Sequence, residues 1–493
     1  MDSQSLKSKT ARGMVWNAID KFAVQGSQFI IGIILARLLL PTDYGLIGML
    51  AIFIAVSQLF VDSGFTKALV QKKDKTDSDF STVFYFNLGL SFIIYIILFL
   101  TAPFIAGFYE VPELVPLTRV LAISIIINAF TIVQNAKFTI ELDFKTMAKV
   151  NFVSVIISGA IGVGLAYYGY GVWSLVYQTL IRGAIVTIMF WLFSKWRPSL
   201  IFSILSFKQL FRFGSKLLGA GVIGTIFQNI YFIIIGKIFS AKELGYYTRG
   251  FQFAEITSGT VTSVIQNVSF PLLASIQDDK IQLAAVYRRL IRLTTFIIFP
   301  AMILFALHAE PFVRFFLTEK WMPAVPLLQW LCFARIFTPI SALNMNILNA
   351  IGRSDLYLKL DISKIPLILI ALFITIPYGV KAVVIGHFVI SFICFFINAY
   401  YPGKLFGYGA LKQIREMGRV ILCTIIMTVC VFVVMFVLNS DILKITICAP
   451  LGVGVFLLMA YLLKMQEFTE VRKMAKLVFN KIIRNDNKGI DKI

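Results

Sequence analysis

The residues with the most chemistry to offer are polar and lie where the chain is otherwise apolar. Asn17, Lys21, Gln25 and Gln28 follow one another at i, i+4, i+8 and i+11, which places them on one face of a helix. Asp20 lies about 100° around from Lys21 on that helix. A second stripe runs through Gln252, Glu255, Gly259, Thr262 and Gln266, with Arg249 above it. Gln58 and Asp62 add an i, i+4 pair, and Arg182 and Arg335 fall near the middles of two further apolar runs. An ionisable group inside a membrane costs about 2.5–3.5 kcal/mol on insertion scales, so each needs a reason to be there. One reading is a hydrated cavity in which cations meet an anion through charge-assisted contacts and amides meet hydroxyls. The other is a set of interhelical braces, such as Asp20 or Glu255 paired with an arginine. No nucleophile or acid–base constellation accompanies these groups. The only histidines are His308 and His387, and the five cysteines form no CxxC pair. Neither an enzyme, a metal centre nor a cofactor is therefore expected.

The elements that position these residues follow from composition. The chain of 493 residues is 58% hydrophobic and 14% charged, with a mean hydropathy of +0.84. Soluble domains carry roughly 45–50% apolar and about 25% charged residues, so lipid must solvate most of this one. Apolar runs long enough for a spanning helix, about 20 residues, recur throughout. Their limits are 14–40, 44–66, 81–106, 115–136, 147–168, 171–194, 213–236, 246–270, 291–309, 325–350, 355–377, 379–402, 417–438 and 443–463. They are too long and uniform for barrel strands, which predicts an all-α polytopic membrane protein of about fourteen spans. The first run is too long for a signal h-region and is interrupted by Asp20 and Lys21, so it is expected to be retained.

The net charge of +21 would suggest nucleic acid in a soluble protein. Here the Lys and Arg gather in alternate short loops, for example Lys72, Lys73 and Lys75, then Arg288, Arg289 and Arg292. That asymmetry predicts both termini in the cytoplasm, and no nucleic-acid partner. Gly219 to Gly224 spells GxGxxG inside a span, where helix packing through small residues is favoured over dinucleotide binding. Residues also recur 200 positions apart: Gln28 and Gln228, Arg37 and Lys237, Asp43 and Glu243, Gly45 and Gly245. Tyr170-Gly171-Val172 returns as Tyr378-Gly379-Val380. The repeat predicts two six-helix lobes around a central cavity, residues 1–200 and 201–402. Two added helices (403–463) and a basic cytoplasmic tail (464–493) follow. A substrate path at the interface of repeats is common in transporters.

At this point the residues carry a family signature. Ala36 to Gly45, reading ARLLLPTDYG, resembles the first loop of polysaccharide transporters in the multidrug/oligosaccharidyl-lipid/polysaccharide exporter superfamily, and more narrowly Wzx-type flippases. The likeness continues through Ala68 to Asp74, Tyr170 to Val176, Leu244 to Arg249, Ala309 to Val313, Glu319-Lys320-Trp321 and Gly352 to Asp355. It implies alternating access in a bacterial cytoplasmic membrane, with lipid-linked oligosaccharide on a polyprenyl-pyrophosphate carrier as substrate. It also implies surrounding lipids and polysaccharide polymerase machinery as partners. Cationic residues on the first and eighth helices line the cavity in related flippases, which points to Lys21 and Arg249. Arg182, Arg335, Asp20, Gln25, Gln28, Asp62, Gln252 and Glu255 complete the candidate set. The resemblance further suggests that the last two spans flank a groove for the polyprenyl tail, with Val431 and Phe456 as contact points. The rival reading within the superfamily is a cation-coupled multidrug antiporter, whose site would favour buried carboxylates and aromatics over mid-membrane arginines.

Overall fold

The computed structural model describes residues 23–62, 64–72 and 74–473. The membrane-length elements are α1 (Ala23–Leu38), α2 (Pro41–Asp62), α3 (Asp77–Tyr109), α4 (Leu114–Ile140), α5 (Phe144–Tyr167), α6 (Val172–Phe193) and α7 (Ile204–Ile238). They continue as α8 (Ala241–Ser275), α9 (Lys280–Leu307), α10 (Ala324–Ala350), α11 (Ser354–Tyr378), α12 (Val380–Phe406), α13 (Ala410–Val437) and α14 (Asp441–Leu462). Twelve helices among the described residues are long and apolar enough to cross a membrane. The two expected spans outside that set are α1, whose expected first third lies outside the described residues, and α8, which is long but carries the second polar stripe. α4 is broken into Leu114–Leu121, Ile123–Ala129 and Ile132–Ile140.

Polar caps set the helix starts. Thr76 opens α3 through a capping box with Asp79, and Lys72 donates to both Asp79 oxygens at 2.7 and 2.8 Å. Asp143 accepts from the Thr146 backbone N–H at 3.1 Å to start α5, and Asp279 accepts from Ile281 and Gln282 to start α9. Each satisfies donors that the first turn would leave open.

Contacts divide the chain into two compact units, 1–248 and 249–493. In the first, α2 packs on α7 and α5 on α6. Gly162 lets α5 approach Gln178 of α6, and Gly221, from the GxGxxG run, lets α7 approach Leu59 of α2. The 200-residue repeat has a physical counterpart here. A side chain at Gly45 would drive into the Ala241 backbone, and one at Gly245 would drive into the Pro41 backbone. Pro41 and Ala241 are themselves 200 apart, so the starts of α2 and α8 cross reciprocally, each through the other's glycine. Lys237 Nζ donates to Glu110 at 2.7 Å, and that ammonium holds the exposed Glu110 carboxyl below its ordinary value. The matching turns at Gly171 and Gly379 take φ of +53° and +89°, conformations that favour glycine.

In the second unit α12 packs on α10 and α11, while α9 packs on α10 and α13, and α13 on α14. A closed polar network joins three of these helices. The Tyr287 hydroxyl (α9) donates to Asn344 Oδ1 (α10), and Gln413 Nε2 (α13) lies 3.1 Å from the Tyr287 hydroxyl and 3.2 Å from Asn344 Oδ1. Tyr287, Asn344 and Gln413 are all fully buried. Arg288 pairs with Glu416, and Arg289 with Glu470 at 2.7 Å, which ties α9 to α13 and to the chain beyond α14.

Candidate functional site

Lys21 and Asp20 lie outside the described residues. The remaining candidates separate into three places. On α1, Gln28 turns its amide oxygen to the Arg182 guanidinium of α6, accepting from Nη1 at 2.6 Å and Nη2 at 3.2 Å. That joins two candidates predicted from different spans. Gln25, one turn before Gln28, also has an interaction partner. On α2, Asp62 accepts from the Thr66 hydroxyl at 2.6 Å, a local bond within the turn that follows the helix.

The third place is the second unit, where α8 carries three candidates. Arg249 donates to Gln252 Oε1 at 2.6 Å. Its guanidinium lies 5.9 Å from the Phe253 ring centroid and 6.0 Å from that of Trp321, a residue with no exposed surface. Only 3% of Arg249 is exposed, so aromatic walls rather than water surround this cation. Further along α8, Glu255 Oε2 meets Arg335 Nη2 of α10 at 2.5 Å. The Arg335 guanidinium also lies 4.3 Å from the Phe251 ring centroid, within cation–π range. The brace between Glu255 and an arginine is therefore present, with Glu255 the half-buried and more accessible of the two partners.

Phe251 and Trp321 were not singled out from the sequence as partners of arginines. In a chain this rich in aromatics, a ring facing a guanidinium leaves no trace in spacing. Trp321 did belong to the Glu319-Lys320-Trp321 signature, the one hint available. Other signature residues serve turns: Asp43 accepts from the Leu40 N–H at 2.8 Å, and Arg353 binds both Asp355 oxygens at 2.9 Å beside Gly352 at φ +74°.

The two residues named as contact points of a groove flanked by the last two spans are both buried. Val431 and Phe456 are 0% and 3% exposed and pack with Phe296 and Met427. Gly452 has no side chain, so α14 closes onto Val431 and Leu304, and a smaller cavity of about 200 Å³ beside them is lined by Leu304, Met427, Val453 and Phe456. A larger cavity, about 520 Å³, lies between α9, α10 and α13, lined by Ile303, Trp330, Phe333, Ile421, Ile425 and Val429 among others. Ile425 and Val429 face the larger cavity, and Phe456 the smaller one.

Residues 34–326 match a family described as "Polysaccharide biosynthesis protein". Among curated relatives, "Teichuronic acid biosynthesis protein TuaB" of Bacillus subtilis (strain 168) is 25% identical over 76% of this chain and 78% of its own length. "Lipopolysaccharide biosynthesis protein WzxC" of Escherichia coli (strain K12) is 25% identical over 73% and 74%. "Succinoglycan biosynthesis transport protein ExoT" of Rhizobium meliloti (strain 1021) is 25% identical over 68% and 69%. Among solved structures, "Lipid II flippase MurJ, inward closed conformation" aligns with a TM-score of 0.76 at 13% identity, covering 92% of this chain and 98% of that one. An inward-facing multidrug resistance MATE family transporter aligns at 0.60 and 17%, covering 80% and 100%. At these identities the structural matches speak for the fold.

Proposed function

We propose that this chain, which belongs to the polysaccharide biosynthesis protein family, is a flippase for lipid-linked oligosaccharide in the bacterial cytoplasmic membrane. Its substrate carries a polyprenyl-pyrophosphate anchor, and translocation proceeds by alternating access between lobes 1–200 and 201–402, with both termini in the cytoplasm. The observation that carries this reading is the set of arginines held within long helices of this membrane protein: Arg182, Arg249 and Arg335. A polyanionic headgroup and oxygen-rich sugars cannot cross hydrocarbon unaided, and a guanidinium offers phosphate a planar, always-charged fork. Lys21 joins these cations in the proposal. A cation-coupled drug antiporter would instead be expected to place carboxylates at the heart of its site, and here Glu255 is matched by Arg335.

The test is deletion in the native host. A lipid-linked oligosaccharide is expected to accumulate at the inner leaflet, and its mass identifies the sugar repeat. Raised drug sensitivity with no accumulated intermediate would favour the antiporter.

Within this reading the cavity between α9, α10 and α13 holds part of the polyprenyl tail, since its lining is almost wholly apolar and hydrocarbon is its natural occupant. A photo-crosslinking residue at Ile425 or Val429 is expected to capture a polyprenyl probe several-fold more efficiently than one at Phe152 or Ile156, which are exposed on α5. Equal capture at the four positions would remove the groove from the mechanism.

A further inference from the structure

We infer that Glu255 is an internal counter-anion that gives up Arg335 to the substrate's phosphate and reclaims it on release. This rests on the flippase reading above. Three features of the pair support the exchange. First, the two partners differ in access: the Glu255 side chain is 43% exposed and that of Arg335 15%, so Glu255 is the partner with open space beside it to move into. Second, the guanidinium does not depend on Glu255 for its position, because the Phe251 ring lies 4.3 Å from it. The carboxylate can therefore swing away while the cation stays in place. Third, space for that carboxylate is reserved on its own helix. Gly259 is one turn on, and a methyl group there would collide with Glu255 Oε1.

The physical logic is that of a matched competitor. A lone cation within the membrane is costly, and an open arginine fork would hold a phosphate too tightly to let it go. Glu255 neutralises Arg335 when no substrate is present. A diphosphate carries more charge than a carboxylate and offers the same fork more oxygens, so it displaces Glu255. When the headgroup leaves, the carboxylate closes the fork behind it. Glu255 thereby sets how firmly the headgroup is held, and Gly259 is its positioning residue.

The experiment uses the full chain in lipid nanodiscs with farnesyl pyrophosphate as the probe. Glu255→Gln keeps the shape but removes the competing charge, and it is expected to bind the probe at least tenfold more tightly than the wild type while export in cells falls. Gly259→Ala is expected to shift affinity in the same direction by a smaller factor, since it displaces the carboxylate without discharging it. The double variant Glu255→Gln/Arg335→Gln keeps a neutral hydrogen-bonding pair, so the helices remain joined, and it is expected to bind more weakly than the wild type. Unchanged or weaker binding by Glu255→Gln overturns the exchange. Wild-type affinity in the double variant also overturns it, while leaving a flippase that relies on its other cations. Failure of both the wild type and Glu255→Gln to bind the probe removes the exchange and the pyrophosphate reading together.

Discussion

Alanine at Arg249 is expected to abolish surface polysaccharide while leaving the protein in the membrane at its normal level. The guanidinium donates to Gln252 and faces the Phe253 and Trp321 rings, and the rings that wall it are apolar and stay packed when the cation is removed. A charge-assisted bond contributes about 1.5–3 kcal/mol, and each 1.4 kcal/mol is a factor of about ten. The loss of headgroup binding should thus reach roughly ten- to a hundredfold at this one cation. Lysine at position 249 keeps the charge without the planar fork and should fall between the two. Lys21→Ala is expected to reproduce the Arg249→Ala phenotype, and Lys21→Arg to retain part of the export. Immunoblots of membranes beside surface-polysaccharide staining separate silencing from loss of protein. Intact export and expression after neutralising Lys21, Arg182, Arg249 and Arg335 together would end the cationic-site argument.

The second large effect is expected at the glycine crossing. Valine at Gly45 or at Gly245 meets main-chain atoms of Ala241 or Pro41, and no change of rotamer moves a backbone aside. Overpacking costs about 1–3 kcal/mol where side chains can yield, so the cost here should lie at or above that range. Because one contact serves both helices, each substitution is expected to expose both. Hydrogen–deuterium exchange should show lost protection at residues 41–45 and 241–245 together, with export reduced. The double variant should be scarcely worse than either single one, since coupled sites are not additive. Loss of protection confined to the substituted helix would mean that the two helix starts are held independently.

Much of this arrangement was legible in the chain. Lipid as solvent follows from hydropathy alone, and the helical period exposed the stripe from Gln252 to Gln266 that the structure places on α8. Gly45 and Gly245 were readable as a repeat because a close backbone approach admits no other residue without strain. What escaped the sequence are partnerships made across space. Gln28 with Arg182 and Glu255 with Arg335 join spans that no local spacing relates. Which side of α13 lines a cavity was not legible either, since its stretch from Val420 to Val437 is apolar on every face and hydropathy does not show where Gly452 lets α14 close in. The signature motifs identified the family better than the site, because residues such as Asp43, Arg353 and Asp355 hold turns.

The network of Tyr287, Asn344 and Gln413 has a consequence for how the protein is made. Synthesis runs from the N-terminus, so α9 and α10 enter the membrane before α13 emerges. Until then, the Tyr287 hydroxyl and the Asn344 amide have only each other, and the Gln413 amide that completes the set has not been synthesised. The last hairpin is thus more than an appendage: its arrival satisfies polar groups laid down 126 and 69 residues earlier. A chain truncated before α13 would leave those groups without their third partner and present the cell's quality-control proteases with an unfinished surface. Biogenesis of the second unit is in this sense complete only when its added helices are in place.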